Sequence, residues 1–182
     1  YLVGSMARDL DAFLQSRGMR RVALVGTALG ADVALAFAGA RPNWISQLVL
    51  NDSAPELSDA GLDRFRRHLA ESPEEFDSLE AAVEWWRATF PILADYGEAS
   101  IRRFVKHSVQ PTAGVRMRWK FDPRFCELSP QSIRDVDPMV SAGRVTCPTL
   151  VLRGADSDVV SEFLAEQLVE GLTRSSGGEG AQ

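Results

Sequence analysis

Apolar runs and amphipathic helical patterns alternate near the start of the chain. Residues 5–17 place their apolar side chains on one face of a helix, whereas residues 22–26 are apolar on both faces, which is typical of a buried parallel strand. An alanine-rich helix is predicted from about Leu29 to Ala40, and a second buried strand follows at residues 47–51. This strand–helix–strand order predicts a parallel sheet with helices packed on its faces.

The middle of the chain has a different pattern. From Leu57 to about Val109 the sequence predicts successive amphipathic helices, and residues 110–130 are irregular. The buried-strand pattern returns at residues 149–153 and is followed by an apolar helical stripe.

These patterns predict an α/β fold with two regions. Residues 1–56 and 144–182 are predicted to form a three-layer core around a partial parallel sheet. Residues 57–143 are predicted to be an inserted helical cap that lies over the carboxyl ends of the strands, where open parallel sheets bind their ligands.

Composition narrows the classes of function. The chain has 182 residues, 45% of them hydrophobic and 25% charged, which predicts one soluble globular domain. Its net charge of −5 argues against a nucleic-acid partner, and no stretch approaches the roughly 20 apolar residues of a membrane span. Cys126 and Cys147 form no CxxC motif, so we expect reduced thiols in a cytoplasmic protein, with one disulfide left open, and no metal site.

The turn between the first strand and its helix reads Gly26-Thr27-Ala28-Leu29-Gly30. It resembles the nucleophile elbow G-x-S-x-G of the α/β-hydrolase superfamily, in which glycines let a sharp, strained turn pack on the following helix. Three further pieces follow in the order of that superfamily: Leu48–Asp52 with Pro55-Glu56, the helical cap, and Cys147–Gly154 with Ser157-Asp158. Together they resemble the lipase, esterase and lactonase-like members that carry a helical cap.

The resemblance assigns roles to individual residues. It implies that Ala28 stands at the nucleophile position and that the Leu29 amide points at the oxyanion site. For the triad acid, Asp158 is the first choice, Asp156 the second and Asp52 the third, with a solvated loop carboxylate as the alternative in each case.

Two catalytic groups of the superfamily have no counterpart here. Alanine has no nucleophilic atom, and the sequence does not distinguish a natural alanine from an engineered one. The triad histidine follows the acid loop in this superfamily, whereas His68 and His107 both precede it. The superfamily also has strands before the elbow and after the acid loop, so we expect this chain to be incomplete at both ends and to form homo-oligomers through its unpaired sheet edges.

The resemblance implies hydrolysis of a carboxylic ester, lactone or similar acyl compound by a Ser-His-Asp mechanism, with this chain inactive as written. No cofactor is implied, because serine acyl transfer needs none. We expect a pocket for a small apolar ester-like substrate. The candidate residues for its wall, each with core packing as the alternative, are Trp85, Trp86, Phe90, Trp119, Phe121 and His107. A non-catalytic relative that binds a small ligand or a partner, and a structural remnant without a pocket, are the alternative functions.

Overall fold

The computed structural model describes residues 1–90, 95–112, 114, 116–122, 124, 128 and 130–176, apart from the side chains of residues 60, 65, 66, 69, 130, 131 and 174–176. The chain divides into two compact units: Tyr1–Asp63 with Leu128–Gln182, and Arg64–Glu127. The second unit lies within the predicted insertion of residues 57–143. The elements in chain order are α1 Val3–Ser16, β1 Val22–Thr27, α2 Leu29–Ala40, a 3-10 turn Pro42–Trp44, β2 Ile45–Asn51, α3 Asp59–Ala70, β3 Glu75–Phe76, α4 Leu79–Thr89, α5 Glu98–Ser108, β4 Val109–Pro111, β5 Met117–Trp119, α6 Pro130–Ile133, α7 Pro138–Ala142, β6 Thr149–Leu152 and α8 Glu162–Ser176.

The first unit is built on a parallel sheet with the strand order β1-β2-β6. The prediction of an α/β fold in which these three strands are parallel neighbours is confirmed. The register aligns Thr27 with Asn51 and Asn51 with Leu152, so the three strands end at the same level. The residues that follow the strands therefore meet at one edge of the sheet.

The core of the first unit lies on one face of this sheet. Leu48 and Leu50 of β2 pack with Leu35 and Phe37 of α2 and with Leu168 of α8, and all five side chains are buried. Of the three predicted layers, the described residues form the sheet and this helical layer.

The opposite face of the sheet is apolar and open. The side chains of Val25, Leu150 and Leu152 are 75%, 53% and 44% exposed. Parallel sheets are generally covered on both faces, so this face is unusual for an α/β protein. The expected homo-oligomer stays a prediction.

The second unit combines α4, α5 and the end of α3 with a small antiparallel sheet of strand order β3-β5-β4. Its core contains Phe76, Val83, Ile101, Val105 and Trp119. The helices were predicted, whereas the sheet was not, because strands of two or three residues are too short to show an alternating pattern.

Within the part of the chain that the structure describes, no helix has both the length and the apolar character needed to cross a membrane. The same residues contain no group of histidine, cysteine and carboxylate side chains arranged to hold a metal ion. Cys147 is half-buried and packs against the core of the first unit. Cys147 has a free thiol in the structure, and Cys126 lies outside the described residues.

Candidate active site

Ala28 forms the tip of the turn between β1 and α2 in a strained backbone conformation. Its φ is 48° and its ψ is −120°, a region that residues other than glycine rarely adopt and that costs on the order of 1–3 kcal/mol. Hydrogen bonds hold the residue there: its N–H donates to the carbonyl of Asn51 at 3.0 Å, and its carbonyl accepts from the amides of Ala31 and Asp32 at 2.9 and 3.2 Å. The turn thus has the sharp, strained geometry that a nucleophile elbow requires.

One of the two flanking glycines explains how this sharp turn is possible. A Cβ atom at Gly26 would lie 2.6 Å from the Cα of Ala31 and would collide with the carbonyl of Gly30, because the first turn of α2 passes directly over the end of β1. A Cβ atom at Gly30 would meet no atom within 4 Å outside its own helix. The predicted packing requirement is therefore confirmed for Gly26 and wrong for Gly30.

Leu29, the predicted oxyanion donor, is the first residue of α2. Amides in the first turn of a helix have no partner within the helix, and the helix dipole favours negative charge beside them. Its role as an oxyanion donor stays a prediction.

Asp52 directly follows the central strand β2, whose last residue, Asn51, accepts the hydrogen bond from the Ala28 amide. Its N–H donates to the carbonyl of Leu152 at 2.8 Å, which extends the β2–β6 ladder by one residue. Its φ is 52°, so its backbone also adopts the left-handed region. The Oδ1 atom of its carboxylate is buried and has no hydrogen-bond partner in the structure.

The two preferred acid candidates, Asp156 and Asp158, are exposed residues of the loop that follows β6. This loop is held in place by a bond from Arg153 Nε to the carbonyl of Val160 at 2.7 Å and by a bond from the Ser58 amide to the carbonyl of Val159 at 2.8 Å. All three acid candidates thus follow the carboxyl ends of β2 and β6, and only Asp52 has a buried carboxylate oxygen without a partner among the described atoms.

A buried ion pair behind the elbow was not predicted from the sequence. Asp32, in the first turn of α2, accepts two hydrogen bonds from Arg134, from Nε at 2.9 Å and from Nη2 at 2.8 Å. The Ser53 hydroxyl donates to the same carboxylate at 2.8 Å, and Arg134 Nη1 donates to the carbonyl of Pro55 at 3.0 Å. The side chains of Asp32 and Arg134 are only 7% and 11% exposed. This network ties the elbow helix to the segment that follows Asp52.

The aromatic side chains named as pocket candidates pack mainly on one another in the second unit. Trp119 is buried, and its indole N–H donates to the Ser72 hydroxyl at 2.6 Å. Trp85 lies 5.8 Å from Trp119 between ring centroids, and Trp86 lies 4.4 Å from Phe90. These contacts belong to the core of the second unit, and a role in a substrate pocket stays a prediction.

A small apolar hollow of about 230 Å³ opens on the surface of the second unit. Trp86 is the one predicted pocket residue among the residues that line it, and the other lining residues were not predicted. The remaining lining residues are Tyr96, Ser100, Ile101 and Phe104. Tyr96 and Phe104 are each more than half exposed, so this hollow is an open aromatic surface.

The two histidines of the chain both belong to the second unit. His68 stacks on Phe90 with 5.0 Å between the ring centroids, and its Nδ1 is buried without a hydrogen-bond partner in the structure. His107 is exposed near the end of α5, and its backbone carbonyl accepts a hydrogen bond from Lys120 at 2.7 Å. A pocket role for His107 stays a prediction.

Comparisons with known proteins find hydrolases of similar sequence and fold. A Klebsiella pneumoniae protein named as the carbamate hydrolase RutD is 29% identical over 168 residues, which cover 88% of this chain and 57% of that protein. A solved α/β hydrolase from Novosphingobium aromaticivorans is 27% identical, with a TM-score of 0.74 over 93% of this chain and 60% of that chain. The solved structure of E-2-(acetamidomethylene)succinate hydrolase has a TM-score of 0.80 at 20% identity, over 94% of this chain and 62% of that chain. No protein-family model matches the chain.

This chain has the fold of the α/β-hydrolase superfamily, and its sequence is similar to hydrolases. It spans 57% of the length of the curated relatives that it matches. The β1–α2 turn has a strained backbone at its tip, where Ala28 carries only a methyl group. At one edge of the sheet, the described residues supply a sharp backbone turn, the free amides of a helix N-terminus and several carboxylates.

Proposed function

We propose that the elbow at Ala28 is the functional centre of this α/β hydrolase, and that the corresponding active enzyme hydrolyses a carboxylic ester, a lactone or a similar acyl bond. The observation that supports this proposal is the backbone of Ala28, with φ 48° and ψ −120° at the tip of a strand-to-helix turn. An alanine gains nothing locally from this conformation, which costs on the order of 1–3 kcal/mol. The surrounding turn imposes the geometry that a nucleophile needs.

The chemistry requires a hydroxyl at position 28 and a base. The hydroxyl oxygen would attack the acyl carbon while a base takes its proton, and the helix-terminal amide of Leu29 would stabilise the negative charge on the acyl oxygen. A water molecule would then attack the acyl group while the base takes its proton, and the acid product would be released. Because the chain has Ala28 in place of the nucleophile, we expect it to be inactive as written.

The relatives named for carbamate hydrolysis favour an acyl substrate, since a carbamate also carries the electrophilic carbonyl carbon that an elbow nucleophile attacks. A non-catalytic function in binding a small ligand is the second candidate, and the methyl group at the elbow tip is the observation that favours it.

The test is acylation of an Ala28→Ser variant by p-nitrophenyl acetate, followed by intact mass spectrometry and peptide mapping. Without an added base we expect almost no turnover, because losing the base alone costs nearly as much as losing the whole triad, on the order of 10⁶-fold in a serine protease. With imidazole added as an external base, we expect acetylation at position 28. The unchanged chain is the matched control, because its Thr27 hydroxyl lies one residue from the tip and should stay unmodified.

The outcomes separate the two functions. If the folded variant is never acetylated at position 28 at any imidazole concentration, the hydrolase proposal is wrong. If in addition a panel of acyl amides and carboxylic acids raises the melting temperature of the unchanged chain, ligand binding becomes the better explanation.

A further inference from the structure

The first unit contains a groove that lies away from the elbow, bordered by α1, α2 and the segment around α7. Its volume is about 440 Å³. Helix α2 contributes residues of its last turns, including Phe37 and Ala40, whereas the elbow precedes the first residue of the same helix. Pockets for small molecules have volumes of about 300–1,000 Å³. The groove is therefore large enough for a small ligand and separate from the elbow.

Close backbone contacts fix the borders of this groove. The amide of Gly4 at the start of α1 donates to Oδ1 of Asp135 at 2.8 Å, which ties α1 to the segment before α7. A Cβ atom at Gly39 would lie 2.9 Å from the Cα of Ser141, so α2 and α7 pack backbone against backbone. A preformed groove binds a ligand with little loss of conformational freedom in the protein.

Three arginines and two aspartates line the groove. Arg41 forms an ion pair with Asp11 at 2.9 Å, which also joins the end of α2 to α1. Oδ1 of Asp137 accepts hydrogen bonds from the first amides of α7 at 2.7 and 3.1 Å. Both aspartates thus already accept hydrogen bonds within the chain, and one of the three arginines is neutralised.

The other two arginines have no carboxylate partner. Arg8 donates to the hydroxyl of Ser5 at 2.9 Å, and this is its one side-chain bond to the described residues. The side chain of Arg144, which follows α7, forms neither a hydrogen bond nor an ion pair with that part of the chain. A guanidinium presents several N–H donors in a plane that matches the two oxygens of a carboxylate. We call this site, with Arg8 and Arg144 at its borders, the arginine groove.

The rest of the arginine groove is largely apolar. Val140 projects an apolar side chain that is 50% exposed, although a valine in this position has no water-soluble group to present. The other apolar side chains that line it are Ala7, Ala36, Phe37 and Ala40. A small inorganic anion would leave this surface uncovered, whereas a ligand with a hydrocarbon chain would bury it and gain free energy in proportion to the area buried.

We propose that the arginine groove binds a small carboxylate with an apolar chain. The carboxylate accepts hydrogen bonds from Arg8 and Arg144, and the hydrocarbon chain lies against the last turns of α2 and against Val140. This inference does not depend on the proposed function of the elbow, because no residue of the Gly26–Gly30 turn lines the groove.

The experiment titrates the unchanged, ¹⁵N-labelled chain with octanoate and follows the backbone amide signals, with isothermal titration calorimetry for the affinity. We expect the signals of Ala40 and Val140 to shift along a saturating curve. Acetate, which keeps the carboxylate, and 1-octanol, which keeps the chain, should each bind at least tenfold more weakly. Added salt should weaken the binding of octanoate, because the two arginines are exposed.

Three variants assign the binding to the arginines. Arg8→Met and Arg144→Met should each weaken octanoate binding about fivefold, which is the range of a partly exposed ion pair. Arg17→Met is the matched control, since it removes the same charge directly after α1 and does not line the groove. It should change the affinity less than twofold, and circular dichroism checks that all three variants are folded.

Several results would overturn the proposal. They are the absence of saturable octanoate binding, shifts confined to Ala28 and Leu29, and unchanged affinity in both Arg8→Met and Arg144→Met. Inorganic phosphate provides the last test: if it binds as tightly as octanoate and shifts the same signals, the groove is a general anion site and the apolar chain has no role.

Discussion

The buried pair between Asp32 and Arg134 gives the sharpest stability prediction. Replacing Arg134 with methionine keeps much of the side-chain volume and removes every donor that the guanidinium provides. The Asp32 carboxylate then stays buried and keeps its hydrogen bond from the Ser53 hydroxyl, and the carbonyl of Pro55 loses its bond to the guanidinium.

The size of the stability loss follows from the charge that stays buried after the substitution. Two charge-assisted bonds of 2.8 and 2.9 Å disappear together, and a carboxylate that is 7% exposed loses its countercharge. Breaking a buried pair from one side costs about 3–5 kcal/mol, because one charge stays buried without compensation. Replacing both partners, as in Asp32→Leu with Arg134→Met, removes that charge and should cost clearly less than either single change.

The assay is urea unfolding followed by circular dichroism, with the free energy of unfolding compared across the two single variants and the double variant. Arg41→Met is the control, since it breaks a 2.9 Å ion pair to Asp11 in which the arginine and aspartate side chains are 50% and 19% exposed. We expect that control to cost about 1 kcal/mol at most. If the double variant is as unstable as the sum of the single ones, the two side chains do not act as a pair and the reasoning is refuted.

Two further predictions concern the elbow and one surface carboxylate. Gly26→Ala should destabilise the chain by about 1–3 kcal/mol because its Cβ atom would collide with the first turn of α2. Gly30→Ala, which meets no atom outside its helix, should be neutral or stabilising by up to about 1 kcal/mol in the same unfolding assay, so equal losses at both sites would contradict the packing argument. The hydrogen bond from Arg102 at 2.6 Å holds the pKa of Glu80 below its ordinary value, so the pair stabilises the fold above the unfolded-state pKa and loses this effect as the pH falls through the folded-state pKa. Carboxyl ¹³C titration should therefore show the pKa of Glu80 rising in Arg102→Met and unchanged in Arg103→Met.

The sheet could be predicted because its strands are local patterns. Each strand is an apolar run bounded by turn residues, and the helix between the first two strands sets their parallel order. The small sheet of the second unit escaped prediction, since its strands of two or three residues pair only after the chain has folded. Helix α2 and the glycine at position 26 were likewise recognisable from residue type alone.

The ion pair behind the elbow could not be predicted in this way. Asp32 and Arg134 are 102 residues apart, and neither belongs to a motif with fixed spacing. The only local signal was an acidic residue in an otherwise apolar, alanine-rich helix, where a buried charge needs a partner.

The elbow conformation is independent of the side chain at its tip. The Ala28 backbone is fixed by its bond to Asn51, by the two amides that its carbonyl accepts from, and by the missing Cβ atom at Gly26, and none of these involves the Ala28 methyl group. The same turn should therefore form with alanine, serine or cysteine at this position. Since the turn determines the geometry and the side chain determines the chemistry, one substitution can remove catalysis while the strained backbone and the buried network behind it remain.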